Sequence, residues 1–215
     1  MSDLPPPNRC RLVLIAPPSL DAARLADALA GGDVASLILP AHGLGEAAFQ
    51  DAAEALVPVA QQAGAAAVVA GDSRIAGRVG ADGVHLEAAK AEIADAIARL
   101  QPKMLVGAGG IKTRDDALEL GELRPDYVFF GRFGYDNKPE PHARNLGLAA
   151  WWASMVEIPC VLLGGASLAS VEEAAATGAE FVALSAAIFG EGLDPRRQVA
   201  EANALLDQKA PRFGA

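Results

Sequence analysis

The fold is decided at residues 71–86, which read GDSRIAGRVGADGVHL. The apolar run before them, residues 66–70, predicts a β-strand. Asp72 follows the end of that strand, a short helix is expected over residues 73–79, and Asp82-Gly83 marks the turn into another strand. The stretch therefore predicts one βα unit that leads directly into a second, parallel strand.

The same alternation of strand and helix continues along the whole chain. Eight short apolar runs predict strands, and an alanine-rich segment with helical spacing follows each of them. Strict alternation implies parallel strands, and eight βα units in 215 residues favour a single-domain (β/α)8 TIM barrel over a doubly wound open sheet. The predicted strands are 10–16, 35–39, 66–70, 83–86, 104–107, 126–130, 159–163 and 180–184, and the predicted helices are 20–30, 46–63, 73–79, 88–100, 114–123, 146–155, 168–177 and 195–208.

Charge and composition limit the kinds of binding partner and the cell compartment that we expect. The net charge is −9 and no basic run is longer than a pair, so a nucleic-acid partner is not expected. No segment has the length of a membrane span and no signal-peptide pattern is present, so we expect a cytoplasmic protein without a membrane partner. Cys10 and Cys160 lie in strand-like runs and are expected to be small buried hydrophobes.

The chain shows no linker between domains. We expect an N-terminal extension over residues 1–9, the barrel over residues 10–209 and a C-terminal tail over residues 210–215. The sequence leaves the oligomeric state open and is compatible with a homo-oligomer.

Small residues follow the last two predicted strands, at the barrel end where ligands bind. Gly164-Gly165 follows strand seven, and Ser185-Ala186 follows strand eight and opens a short helix. Alone, the glycine pair could be a tight turn and the serine a helix cap. Together, at these two strand ends, they predict backbone donors that hold a phosphate group, and therefore a small phosphorylated substrate.

Other strand ends carry further candidates. Gly107 begins a glycine-rich turn that could cradle an anion. Lys138 lies in a long loop after strand six, of the kind that closes over substrate, although a solvated surface lysine is the alternative. Asp72 is either a site carboxylate or a helix N-cap, and His85 reads as a packed or hydrogen-bonded histidine.

Residues 71–86 and these loops resemble the thiamine phosphate synthase family, whose matching block is an apolar strand, Asn-Asp, a short helix and Ala-Asp-Gly-Val-His-Leu. Here Gly71 stands in place of the Asn. The resemblance runs from the third strand to the last helix and implies a single-domain barrel. It implies a transferase of thiamine biosynthesis that joins hydroxymethylpyrimidine pyrophosphate to thiazole phosphate and releases pyrophosphate.

The resemblance also implies roles for individual residues. Asp72 would be a ligand of Mg²⁺, for which hard oxygen donors are suited. Lys138 would be the catalytic contact to the pyrophosphate. The thiazole phosphate would bind at Gly164, Gly165, Ser185 and Ala186.

This chain departs from the family most clearly after strand two. Where the family has Gln-Leu-Arg-Glu-Lys, residues 37–42 read LILPAH, so both cations that would face the pyrophosphate are missing. His42 could supply one charge there if protonated. The second acidic metal ligand of the family is also absent, and only Glu87 could replace it.

Two other functions therefore stay open. One is an isomerase like the related thiazole tautomerases, with His42 or His142 as proton shuttle. The other is a non-catalytic binder of a small phosphorylated ligand. Arg132 or Arg144 in place of the missing cations would favour the transferase, whereas an apolar pocket there would favour the binder.

Overall fold

The computed structural model describes residues 7–135 and 137–213. Eight parallel strands close into a barrel in chain order, with β8 paired to β1. The predicted single-domain (β/α)8 barrel is therefore confirmed. The strands are β1 Arg11–Ile15, β2 Val34–Leu39, β3 Ala66–Ala70, β4 Gly83–Leu86, β5 Leu105–Ala108, β6 Tyr127–Phe130, β7 Cys160–Leu163 and β8 Phe181–Leu184, and the helices are α1 Ala22–Leu29, α2 Glu46–Gln62, α3 Ser73–Arg78, α4 Lys90–Leu100, α5 Arg114–Gly121, α6 Ala143–Met155, α7 Ser170–Ala175, α8 Ala186–Phe189 and α9 Pro195–Lys209.

The described residues form nine helices, one more than predicted. The additional helix is α8, a single turn between β8 and the last long helix, which is too short to show helical periodicity in sequence. Helix α6 begins earlier than predicted because His142 caps it, with Nδ1 accepting a hydrogen bond from the Arg144 amide at 3.2 Å. None of the helices in the described ranges has both the length and the apolar character needed to cross a membrane.

The core has two layers, separated by the wall of the barrel. In β1, Val13 and Ile15 belong to the inner cluster, whereas Leu12 and Leu14 pack with the helices outside. Both faces of each strand are thus buried, which explains why the strands read as continuous apolar runs. Cys10 and Cys160 are both free and buried, and burial raises the pKa of the Cys10 thiol to about 12.

The two ends of the described chain contact each other beside the start of β1. Arg9 is buried, donates to Asp207 in α9 at 2.7 Å, and pairs with Arg212 in an antiparallel bridge. Arg9 therefore packs against the barrel although the predicted boundary assigns it to the extension. Residues 1–6 of the predicted extension and 214–215 of the predicted tail lie outside the described residues.

Candidate active site

A cavity of about 1110 Å³ opens at the C-terminal ends of β4 to β7. Its wall includes Glu87 after β4, Gly109 and Gly110 after β5, and Arg132 after β6. This is the end of a barrel at which active sites lie. Of the predicted site residues, Lys138 and Gly164 line the cavity, whereas Gly107, His42, Asp72, Gly165, Ser185 and Ala186 are not part of its lining.

Among the described residues, five cationic side chains line this cavity, beside four carboxylates. Lys90 pairs with Glu122 at 3.4 Å, but the other four lining cations form no ion pair with any residue that the structure describes. In a chain of net charge −9, unpaired cations around one cavity favour an anionic ligand. Those four cations are Lys112, Arg132, Lys138 and Arg144.

Carboxylates line the same cavity, and one of them is engaged locally. Asp116 accepts hydrogen bonds from the Lys112 and Thr113 amides at 3.0 and 2.9 Å and completes the capping box of α5. These hydrogen bonds lower the pKa of Asp116, so the carboxylate is charged at neutral pH and held in place. The other lining carboxylates are Glu87, Glu119 and Glu140.

The loop after β2 is absent from the cavity wall. His42 is exposed, has a left-handed backbone with φ 50°, and places Nε2 2.7 Å from the Ala16 carbonyl. Because a carbonyl only accepts, Nε2 carries the proton and donates. Arg132 and Arg144 line the cavity from the β6 side. They therefore do not take the place of the two cations that the family resemblance expects after β2.

Asp72 caps helix α3, as the alternative interpretation of the sequence had it. Its Oδ1 accepts from the Arg74 and Ile75 amides at 2.8 and 3.1 Å, and the Arg74 guanidinium lies 3.6 Å from Oδ2. Burial acts to raise the pKa of Asp72, but these hydrogen bonds together with Arg74 lower it below its ordinary value. The carboxylate is thus ionised at neutral pH, and its role as a metal ligand remains a prediction.

The pairing of β3 with β4 shows which second carboxylate lies beside Asp72 and could share a Mg²⁺ ion with it. Ala70 of β3 pairs with His85 of β4, so Asp72 and Glu87 each lie two residues beyond a paired position on neighbouring strands. The described residues contain no group of three or more His, Cys, Asp or Glu side chains that could hold a metal. Two carboxylates on adjacent strand ends suit a cation that takes most of its ligands from a bound phosphate and water.

The loop after β7 is covered by the loop after β6. A side chain at Gly165 would collide with the carbonyl of Pro139 and lie 2.7 Å from the Glu140 carbonyl carbon. Gly165 thus permits a close backbone approach, but the group that approaches is protein. The backbone amides here already have acceptors: Gly164 donates to the Ala183 carbonyl, Gly165 to Ser170 Oγ, Ala166 to the Lys138 carbonyl at 2.7 Å and Ser167 to the Pro139 carbonyl at 3.3 Å.

The remaining predicted contacts lie at neighbouring strand ends. Gly107 is within β5, and the space that its missing side chain leaves is filled by the ring of Tyr127. Ser185 is the N-cap of α8, but its side chain makes no capping hydrogen bond. Ala186 is the first residue of that helix. Contacts of these residues with a substrate remain predictions.

A polar pair, formed by the buried His85 and the partly buried Tyr127, joins β4 to β6. His85 is 1% exposed, and its Nδ1 is 3.1 Å from the Tyr127 hydroxyl. Its Nε2 has no hydrogen-bond partner among the described residues and lies 3.9 Å from Glu87 Oε1. The hydrogen-bonded histidine expected from sequence is present. Its partner could not be predicted, because Tyr127 follows it by two strands along the chain.

Comparison with known proteins gives consistent matches. The family profile described as thiamine monophosphate synthase matches residues 12–188. The thiamine-phosphate synthase of Hyphomonas neptunium is 33% identical over 98% of this chain and 100% of its own length, and that of Rhodospirillum centenum is 32% identical over 92% and 98%. The thiamine phosphate pyrophosphorylase structure from Pyrococcus furiosus has a TM-score of 0.79 at 22% identity, covering 95% of this chain and 98% of its own, and supports the fold.

Proposed function

The chain belongs to the thiamine monophosphate synthase family, and we propose that it is a thiamine-phosphate synthase acting in thiamine biosynthesis. The proposed reaction joins hydroxymethylpyrimidine pyrophosphate to thiazole phosphate and releases pyrophosphate. The observation that carries the proposal is the similarity to two proteins of that name along almost the entire chain. The cavity with four unpaired cations supports it, because both substrates are anions.

In the proposed reaction, the bond between the pyrimidine methylene carbon and the pyrophosphate oxygen breaks, and the electron pair leaves with the pyrophosphate. The thiazole nitrogen then forms a new bond to that carbon. Negative charge develops on the leaving oxygen, so fixed cations near it lower the barrier. We assign this role to Lys138, assisted by Arg132, since both line the cavity without a carboxylate partner among the described residues.

We further propose that the enzyme uses Mg²⁺, held by Asp72 and Glu87 together with the pyrophosphate. When bound, Mg²⁺ would neutralise charge on the pyrophosphate and make it a better leaving group. Asp72 supports this proposal because it is ionised and its cap bonds use only Oδ1, so that a metal would compete for Oδ2 with the exposed Arg74 guanidinium alone. Glu87 supports it because it lies at the equivalent position of the neighbouring strand and lines the cavity.

The thiazole phosphate is proposed to bind at Gly164, Gly165, Ser185 and Ala186. In the described conformation the amides of Gly164 and Gly165 already donate to the Ala183 carbonyl and to Ser170 Oγ. A phosphate that uses these two donors must therefore compete with protein acceptors. The loop after β6 also covers this site, because the next amide along, that of Ala166, donates to the Lys138 carbonyl.

The test is an assay with purified protein, both substrates and Mg²⁺, in which thiamine phosphate and pyrophosphate are followed together. We expect both products in equal amounts, and neither when thiazole phosphate is omitted. Lys138→Gln should lose most of this activity, whereas Lys103→Gln should retain it, because Lys103 is an exposed cation outside the cavity. Isomerised thiazole without coupling would indicate a tautomerase, and binding without any product would indicate a binder.

A further inference from the structure

One polar side chain lies on the inward face of helix α6, where the other buried residues are hydrophobic. Asn145 is in the first turn, and the buried positions that follow it at helical spacing are Leu148, Ala149 and Trp152. Asn145 is only 7% exposed. Its backbone amide donates to the His142 carbonyl at 2.9 Å, but its side-chain amide makes no hydrogen bond within the described residues. A buried amide without a partner costs stability, so a partner from outside the chain is expected.

The side-chain amide of Asn145 faces the cavity. The described residues have two fully buried side-chain nitrogen or oxygen atoms without a hydrogen-bond partner, Arg24 Nε and His85 Nε2. Because the Asn145 amide has no partner and is not one of these two, its atoms retain contact with open space. Asn145 lines the cavity together with Leu163 and Gly164. That open space is therefore the cavity, and a ligand in it can reach the amide.

The start of α6 provides a backbone donor beside this side chain. His142 caps the helix, and its Nδ1 accepts from the Arg144 amide at 3.2 Å. The His142 carbonyl accepts from the amides of Asn145 and Leu146 at 2.9 and 3.1 Å. The Ala143 amide is thus the one first-turn donor without an acceptor within the described residues, and Ala143 also lines the cavity. A free N–H at the positive end of a helix favours an anion.

Charge on this part of the cavity wall also favours an anion. Residues 138–144 carry two cations, Lys138 and Arg144, against one carboxylate, Glu140, and all three line the cavity. Neither cation forms an ion pair with a described residue. Two N–H donors and two cations together match a group that only accepts hydrogen bonds and carries negative charge, as a phosphate does.

The neighbouring glycine loop has fewer free donors than the start of α6. The amides of Gly164 and Gly165 already donate to the Ala183 carbonyl and to Ser170 Oγ. Gly164 lines the same cavity as Asn145. A phosphate group on this side of the cavity therefore finds its unengaged donors on α6.

We propose that the start of α6 is a binding site for a phosphate group, in which Asn145 Nδ2 and the Ala143 amide donate hydrogen bonds and Arg144 supplies the positive charge. The inference rests on the proposed function for the identity of the ligand, because a thiamine-phosphate synthase would place the phosphate of its thiazole substrate here. Free inorganic phosphate has the same chemistry and is the other source. The site is separate from Ser185 and Ala186, which are not part of the cavity lining.

Titration of ¹⁵N-labelled protein with inorganic phosphate tests the site without turnover. The NMR signals of the Asn145 side-chain amide and the Ala143 backbone amide should shift along one binding curve. Sodium chloride at matched ionic strength should shift neither of them. Asn145→Leu keeps the approximate size but removes the donor, and should weaken phosphate binding about tenfold. Asn145→Asp places a negative charge at the site and should abolish binding.

Stability separates a ligand-contacting residue from a structural one. Asn203 is the matched control, because it is also 7% exposed but its amide is engaged. Its Oδ1 accepts from Arg9 Nη2 at 3.1 Å, and its Nδ2 donates to the Asp33 and Val199 carbonyls. Asn203→Leu should lower the Tm and leave phosphate binding unchanged. Asn145→Leu should keep or raise the Tm, because it replaces an unpartnered polar group by an apolar one.

Steady-state kinetics identify the source of the phosphate. In the assay of thiamine phosphate formation, Asn145→Leu should raise the KM for thiazole phosphate about tenfold and leave the KM for the pyrimidine pyrophosphate unchanged. If inorganic phosphate binds at Asn145 while both KM values stay those of the wild type, the site takes free phosphate.

The inference is overturned if inorganic phosphate shifts neither Asn145 nor Ala143, or if Asn145→Leu binds phosphate as the wild type does. A Tm of Asn145→Leu lowered as far as that of Asn203→Leu would show a structural role and would also overturn it. If Asn145→Leu does not fold, the titration of the wild type and of Asn145→Asp still decides. Phosphate binding that depends on Asn145, in a protein that forms no thiamine phosphate, leaves the inference standing without the function. Thiamine phosphate formed by a protein without phosphate shifts at α6 leaves the function standing without the inference.

Discussion

Replacing Gly165 with alanine should detach the loop after β6 from the loop after β7. The new methyl group would occupy the position of the Pro139 carbonyl, and backbone atoms of residues 139 and 140 cannot give way as a flexible side chain can. The barrel strands are not in that path, so we expect the fold to persist while the loop moves away.

The size of the effect follows from the two main-chain hydrogen bonds that join the loops. Ala166 donates to the Lys138 carbonyl and Ser167 to the Pro139 carbonyl. At about 1 kcal/mol each, their loss corresponds to roughly 2 kcal/mol of local docking free energy. Exchange protection of these two amides should then fall roughly thirtyfold.

Amide hydrogen exchange of residues 164–168, measured by NMR, checks this prediction. Gly147→Ala is the matched control, because Gly147 lies inside α6 with open space where its β-carbon would be. That change should stabilise the helix by up to about 1 kcal/mol and leave the loop contact intact. If Gly165→Ala keeps the wild-type protection at Ala166 and Ser167, the loop does not rest on Gly165 and the reasoning fails.

Three further predictions concern the charged residues Lys138, Asp72 and Asp207. Lys138→Gln should lower kcat about a hundredfold while Lys103→Gln leaves it unchanged, and equal rates would remove Lys138 from the mechanism. Asp72→Ser should keep the α3 cap but abolish the response to Mg²⁺, whereas Asp72→Ala should also cost about 1 kcal/mol of stability. If the activity of Asp72→Ser depends on Mg²⁺ concentration as that of the wild type does, Asp72 is not a ligand. The hydrogen bond from Arg9 lowers the pKa of Asp207 in the folded protein below its ordinary value of 3.8. The ion pair therefore stabilises the fold at pH values above 3.8, and this stabilisation is lost as the pH falls through the lowered pKa. Asp207→Asn should therefore flatten this part of the acid-unfolding curve followed by circular dichroism, and an unaltered curve would contradict the assignment.

The barrel could be predicted from sequence because each strand is buried on both faces. Continuous apolar runs such as residues 66–70 and 159–163 are the direct result of that burial, and regular spacing of helices between them fixes the parallel arrangement. The helix missed was α8, where a single turn carries no periodicity.

The site could be predicted only where position along the chain determines position in space. Lys138 and Gly164 follow strand ends, and the structure places both at the cavity. Gly165 is predicted to contact a substrate phosphate, which stays a prediction, and sequence alone could not show that the backbone of residues 139 and 140 lies against it. The His85–Tyr127 pair depends on contacts between different strands, which no local pattern records.

The loop after β6 lies next to both proposed binding sites, that of the pyrophosphate and that of the thiazole phosphate. Its Lys138 side chain lines the cavity, while the carbonyl of the same residue accepts from Ala166 in the loop after β7. The proposed phosphate site at Gly164 and Gly165 adjoins this contact, and a phosphate that also took the Ala166 amide would displace that carbonyl, because the amide has a single proton to donate. In that case the backbone of Lys138 would move with the arrival of the phosphate, and its ammonium would move with the backbone. Binding of the second substrate would thereby set the position of the cation that faces the leaving group of the first, which couples departure of the pyrophosphate to the presence of the nucleophile.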